Sequence, residues 1–290
     1  MISLRRTVHA PPEGARAGGR PLYAIGDVHG CYDLLHALLR EIGRDAAERY
    51  PGVTPVLVLC GDYVDRGPAS AKVLAALAWL ARSSAVDARL LEGNHEAVLR
   101  MFMEHPAQHA KWLAFGGRQT LESYGLAVPE VVETEAALIG LRDALLDVMP
   151  MSHHLLLHRL EPMVRAGDYT FVHAGVRPGV ALKRQTRDDL LWIREEFLHH
   201  PRPAAGVIVH GHTWLDDQPT VLPHRIGIDT GAYETGVLTG LHVTDHAIEV
   251  IQAVGSRGTD GPPEPAEAAA DRLLRRVRGP GRQGPAIADR

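Results

Sequence analysis

The sequence predicts a layered α/β fold. Two regularities carry that prediction: six short apolar runs each break off at a glycine beside polar residues, and amphipathic stretches with helical spacing fall between several of them. A third observation sets the scale. A chain of 290 residues, 45% hydrophobic and 23% charged, has the profile of a globular protein with a sizeable core. Apolar runs without alternation suit strands covered on both faces, and alternating strands and helices gather ligand groups at the carboxyl ends of the strands.

Residues 1–20 are rich in Gly, Pro, Ala and Arg and are expected to form a disordered N-terminal segment; they are basic but lack the apolar core of a signal peptide. LYAIGDVHG (22–30) supplies the first strand and its polar end, and YDLLHALLREIGRDAAERY the helix after it. VLVLCGDYVDRGP (56–68) is the second strand, and the helix SAKVLAALAWLARSS follows with Ser70 placed to cap it. RLLEGNHE (89–96) is the third. From about 97 to 160 the rhythm changes to a helical insertion containing FGGRQTLESYG, where Gly116 and Gly117 mark a loop, and TEAALIGLRDALLDVMP, which Pro150 ends. YTFVHAG, VIVHGHT and RIGIDTG restore the strand pattern. The domain is expected to span 21–252, with a disordered C-terminal tail over 253–290.

Composition excludes several roles. A net charge of −4 offers no basic field for nucleic acid, and no run of 18 apolar residues suggests a membrane span. The two cysteines, Cys31 and Cys60, form no CxxC pair, which disfavours a disulfide framework or a structural zinc. A reduced, cytoplasmic setting is the expectation.

Each strand-end motif is weak by itself, since Gly-Asp commonly marks a turn. Together they place Asp27, His29, Asp62, Asn94, His173 and His212 at strand ends beside glycines. Two carboxylates, an amide oxygen and three imidazoles form a mixed O/N set suited to Mn, Fe or Zn, and too large for one tetrahedral zinc. Six ligands shared by two ions, one carboxylate bridging, would hold metals about 3.5–4 Å apart and clamp the oxygens of a phosphoryl group.

The ordered series GDVHG, GDYVDRG, GNHE, HAG and GHT resembles the calcineurin-like metallophosphoesterases, and more narrowly the bacterial branch of the phosphoprotein phosphatase family of Ser/Thr phosphatases. The resemblance runs from about Leu22 to Val250 and includes FGGRQTLESYG, DLLWIREEFL and IDTGAYETGVLTGL. It implies a β-sandwich flanked by helices and two divalent ions, with Mn²⁺ the expected metal and Fe or Zn the alternatives. Asp27 and His29 would hold the first ion, Asp62 would bridge, and Asn94, His173 and His212 would hold the second. His95 would be the general acid with Asp65 behind it, and Arg66 and Arg194 would grip the phosphate. Asp229, His210 and Tyr233 are candidates to support these ligands.

The activity implied is hydrolysis of phosphoserine and phosphothreonine in proteins or peptides by a metal-bound hydroxide. A dinucleoside polyphosphate hydrolase using the same site is the alternative. A non-catalytic scaffold is a third reading, opposed by the intact ligand positions. One departure bears on the choice. The residue before GNHE, commonly arginine in the protein-phosphatase branch, is Glu92. It either faces the phosphate or turns away to pair with an arginine. His153 and His154, outside the motifs, read as helix-surface or packing residues.

Overall fold

The computed structural model describes residues 1–255 apart from Glu133, Pro203 and Ala205. Eleven strands form two sheets among these residues. The larger has the order β1(Ser3–His9)–β11(Ile248–Val254)–β10(Val237–Val243)–β2(Leu22–Ile25)–β3(Val56–Leu59)–β4(Asp87–Leu90). The smaller runs β5(Met163–Ala166)–β6(Tyr169–Val172)–β7(Val207–His210)–β9(Arg225–Gly227)–β8(Thr220–Val221). The β2–β3–β4 and β6–β7–β9 pairings are parallel. All six motif-bearing runs of the sequence are therefore strands, and both parallel sets lead toward the same site.

Period-2 geometry explains why those runs are apolar throughout. On β2 and β3, Leu22, Ala24, Val56 and Val58 face the second sheet and meet Tyr169, Phe171, Val207, Val209 and Ile226. The alternate residues Tyr23, Ile25, Leu57 and Leu59 face helices α1(Tyr32–Arg49) and α2(Ser70–Leu80). A third layer covers the far side of the second sheet, where Val172 and Ile208 pack on Phe197 and Leu190. The result is a β-sandwich flanked by helices.

From Asn94 of GNHE onward the chain is mostly helical: α3(Asn94–Glu104), a 3-10 turn over Ala110–Phe115, α4(Gly117–Ser123), α5(Glu135–Val148) and α6(Met151–Leu157). Thr134 caps α5 by accepting from Ala137 N. Three short helices, α7(Arg187–Trp192), α8(Glu195–Leu198) and α9(Ala232–Thr235), carry or adjoin further site residues.

Three expectations need correction. The N-terminal segment is not disordered: β1 adds a seven-residue antiparallel strand to β11, and Ala15 and Ala17 are buried between the sheets. Its composition hid this because an edge strand needs main-chain partners more than apolar side chains. The boundary at 252 is also early, since β11 runs to Val254; the tail expected to be disordered lies, from residue 256, outside the described residues. Ser70 does not cap α2. It is the helix's first residue, and its hydroxyl accepts from Asp65 N at 3.0 Å.

Candidate active site

The site is built at strand ends, and the backbone there is strained. Among the non-glycine described residues, positive φ occurs at His29 (43°), Asp62 (52°), Asp65 (73°), Arg66 (69°) and His212 (65°). These conformations cost an L-residue free energy, and their confinement to one place marks a functional constraint. Two glycines permit the close approach. A Cβ at Gly93 would overlap Asp62, and one at Gly211 would overlap the Asp27 carboxylate.

The structure brings together all six residues singled out as ligands. Asp62 lies at the centre, with Oδ2 3.5 Å from His29 Nε2 and Oδ1 3.5 Å from His173 Nε2. Its two oxygens therefore face two different clusters, His29–Asp62–His95 and Asp62–His173–His212. Asn94 Oδ1 lies 2.8 Å from His173 Nε2 and 2.9 Å from His212 Nδ1. Asp27 accepts from His212 N through Oδ2 at 2.9 Å, while its buried Oδ1 has no hydrogen-bond partner.

These donors fit a pair of cations. His173 Nδ1 is 2.8 Å from the Cys60 carbonyl and His29 Nδ1 is 2.9 Å from the Val64 carbonyl. A carbonyl only accepts, so each Nδ1 carries the proton and each Nε2 presents a lone pair. His173 Nε2 then meets the Asn94 oxygen acceptor to acceptor, and His29 Nε2 meets Asp62 in the same way. A cation between them, with the orphaned Asp27 Oδ1 nearby, makes that packing favourable. Protonation agrees: burial pushes His29 down to about 3 and His212 to about 2, and lowers His173, keeping the imidazoles neutral. Burial pushes Asp62 up, but the attraction of the surrounding histidines, of which His95 is the one that favours its proton, outweighs it and the net shift is downward.

His95 differs from the other histidines. Its Nδ1 lies 2.7 Å from Asp65 Oδ2, and its Nε2 is 3.9 Å from Asp62 Oδ2. Burial lowers its pKa, yet the charges of Asp62 and Asp65 win, and the net shift is upward. One site thus holds neutral imidazoles beside one that favours its proton. Asp65 is itself held by Trp112 Nε1 at 2.8 Å and by the Thr120 hydroxyl at 2.6 Å.

Arg66 Nη1 lies 3.3 Å from His29 Nε2 and donates to Tyr233 OH at 3.0 Å, with its guanidinium over the Tyr233 ring. Tyr233 also packs edge-on against His29, and Trp214 against Tyr233. Arg194 Nε donates to His212 Nε2 at 3.1 Å. Asp229 is buried and binds Gly231 N at 2.9 Å. His210, two residues before the candidate ligand His212, turns to the Gly211 carbonyl and packs edge-on against Phe197. Glu92 does not stand as a lone carboxylate. It takes a fork from Arg187 (2.8 and 2.7 Å) and a further bond from Arg100 (3.1 Å), so the trio carries net positive charge.

Trp112, Thr120 and Glu96 received no role from the sequence. Glu96 accepts from the backbone N–H groups of Gly93, Asp62, Tyr63 and Val64 at 2.7–3.1 Å. Burial and the nearby Asp62 raise its pKa, but a side chain with four donors around it and nothing to donate to is an ionised carboxylate. Its place three residues after Gly93 is the capping-box signal that announces it. Trp112 and Thr120 come from the helical stretch, and no local pattern links them to Asp65.

A fold of two helix-flanked sheets with paired clusters of candidate metal ligands at its strand ends is that of a metallophosphoesterase. Residues 20–234 match the family model of the calcineurin-like phosphoesterases, and the chain belongs to that family. Members use a dinuclear metal centre, and this chain carries candidate His and Asp ligands for one. It is 28% identical over 239 residues to an asymmetrical bis(5'-nucleosyl)-tetraphosphatase of Bacillus velezensis, covering 77% of this chain and 88% of that protein. It is 30% identical over 229 residues to serine/threonine-protein phosphatase 1 of Salmonella typhimurium, covering 76% and 90%. A crystal structure of a protein provisionally called a diadenosine tetraphosphatase superposes with a TM-score of 0.53 at 22% identity, over 87% of this chain and all of that one. No described helix is long and apolar enough to cross a membrane.

Proposed function

We propose that the chain is a dinuclear metal-dependent phosphomonoesterase acting on phosphoserine and phosphothreonine in proteins or peptides. Asp27 and His29 would hold one ion, Asn94, His173 and His212 the other, with Asp62 shared between them; the O/N donor set suits Mn²⁺. Bound there, two divalent cations would supply Lewis acidity that activates water and neutralises phosphate charge.

The observation that carries the reading is the buttressed dyad of His95 and Asp65, with His95 Nε2 directed toward Asp62. An alkoxide leaving from phosphoserine needs a proton at the moment the P–O bond breaks. Asp65 fixes the ring so that Nε2 presents that proton, and Trp112 and Thr120 fix Asp65. Arg66, set by Tyr233, and Arg194, set against His212, approach the metal clusters from two sides and hold the non-bridging phosphate oxygens by their N–H groups. A nucleotide leaving group is a far weaker base and gains less from such an acid, which supports the peptide substrate.

Hydrolysis of dinucleoside polyphosphates is the second reading, supported by the likeness to the Bacillus velezensis tetraphosphatase. Competition between a phosphoserine peptide and a dinucleoside tetraphosphate on the Mn²⁺-loaded protein tests the choice. Higher kcat/KM for the peptide is expected; preferential turnover of the nucleotide reverses the order. No turnover of either, or of p-nitrophenyl phosphate, rejects the phosphomonoesterase reading.

A further inference from the structure

Beside the metal clusters opens a second pocket of about 580 Å³. One wall is Arg66, Gly67, Pro68 and Tyr233, and the other is the first two turns and more of α1. Arg66 and Tyr233 are thus a shared partition, bonded to each other at 3.0 Å, with Arg66 also 3.3 Å from His29. The volume is that of a ligand pocket and exceeds what one phosphate needs.

The α1 wall has its own chemistry. Asp33, Ala37 and Arg40 recur at i, i+4 and i+7 and so share one stripe. At 1.5 Å per residue, Arg40 stands about 10 Å along the helix from Asp33. Arg40 is exposed, and no ion pair or side-chain hydrogen bond engages it among the described residues. Charged stripes on helices are ordinarily solvated faces. This one differs because the opposite wall carries Arg66, one of the two arginines proposed to grip the phosphate, and its partner Tyr233. Two arginines, one on each wall, against the single carboxylate of Asp33, leave the pocket net positive.

Building on the phosphoesterase reading, we propose that this pocket is a subsite for a second anionic group of the substrate, several bonds removed from the scissile phosphate, and that Arg40 is the residue that recognises it. The anion is either a further phosphate of a polyphosphate chain or an acidic side chain near the phosphoserine. Leu34 and Ala37 provide an apolar surface for the linking atoms.

Steady-state kinetics of the Mn²⁺-loaded full chain and its Arg40→Ala and Arg40→Glu variants test this. The substrates are p-nitrophenyl phosphate, a dinucleoside tetraphosphate, and two phosphoserine peptides differing only by Asp or Ala two residues from the phosphoserine. KM for the tetraphosphate, the Asp peptide or both should rise about three-fold in Arg40→Ala and ten-fold or more in Arg40→Glu. KM for p-nitrophenyl phosphate and the Ala peptide should move less than two-fold, and Arg40→Lys should restore most of the loss. A rise confined to the tetraphosphate assigns the anion to the phosphate chain; one confined to the Asp peptide assigns it to the acidic side chain. Unchanged KM on both, or equal changes on all four, overturns the subsite. Failure of the underlying reading looks different, because the unmodified protein would then not turn over p-nitrophenyl phosphate at all.

Discussion

Replacing Asp65 by Asn isolates what its charge does for His95. The shape is kept, and the hydrogen bonds can be re-satisfied. The Asn oxygen takes the place of Oδ2, still accepting from His95 Nδ1 and Trp112 Nε1, and its amide faces the Thr120 hydroxyl, which can turn to accept. What disappears is a charged acceptor 2.7 Å from the imidazole. Hydrogen bonds to charged groups contribute about 1.5–3 kcal/mol and neutral ones about 0.5–1.5, so the imidazolium loses about 1–2 kcal/mol. At about 1.4 kcal/mol per decade that is a five- to thirty-fold fall in kcat for a phosphoserine peptide, whose leaving group needs the proton. The alkaline limb of the kcat profile, where the general acid loses its proton, should move to lower pH, because His95 loses one of the two charges that raise its pKa. The assay compares kcat on the peptide and on p-nitrophenyl phosphate, with bound metal measured on the same preparation. An equal loss on both substrates at full metal content refutes the role of the dyad in leaving-group protonation.

Asp62→Asn should abolish turnover and reduce bound metal below two ions per chain, because its two oxygens face different clusters; elemental analysis checks this. Trp112→Phe removes one donor to Asp65 while keeping a ring against Phe102, and should give a smaller loss of the same substrate-dependent kind in parallel kinetics. His153, buried against Tyr124, is pushed down to about 4 by burial. Between pH 6.5 and that value the unfolded chain binds a proton that the folded chain refuses, so stability falls as pH drops, by about 2 kcal/mol at pH 5. Urea unfolding at pH 7.5 and 5 should show this difference shrinking in His153→Asn. A chain ending after Gly255 retains every described strand and should keep its p-nitrophenyl phosphate kcat; a folded but inactive truncation contradicts the boundary.

The parts of the fold that were legible in the sequence are those whose signal is local. LYAIGDVHG and VLVLCGDYVDRG announce themselves because a strand buried on both faces must be apolar throughout and must end where its ligands begin. The candidate ligands that the structure brings together were legible for the same reason: each stands within a few positions of a strand end. Strand β1 was not, because SLRRTVH has no apolar pattern and takes its place through main-chain bonds to a segment some 240 residues away. The support for Asp65 was equally hidden. Trp112 and Thr120 lie 47 and 55 residues beyond it, joined only by folding. Glu92 was visible as a departure, but its meaning depended on Arg187, 95 positions on.

The N-terminal strand has a consequence for anyone trimming this chain. The family match begins at residue 20, so a fragment cut to that boundary loses β1. The row of main-chain donors and acceptors on one side of β11 would then stand bare, beside the apolar residues Ile248, Val250 and Ile251. Bare sheet edges recruit other edges. The shortened protein should therefore retain its metal ligands yet come out of solution, or pair through β11 with a second copy, at concentrations where the longer chain stays dispersed.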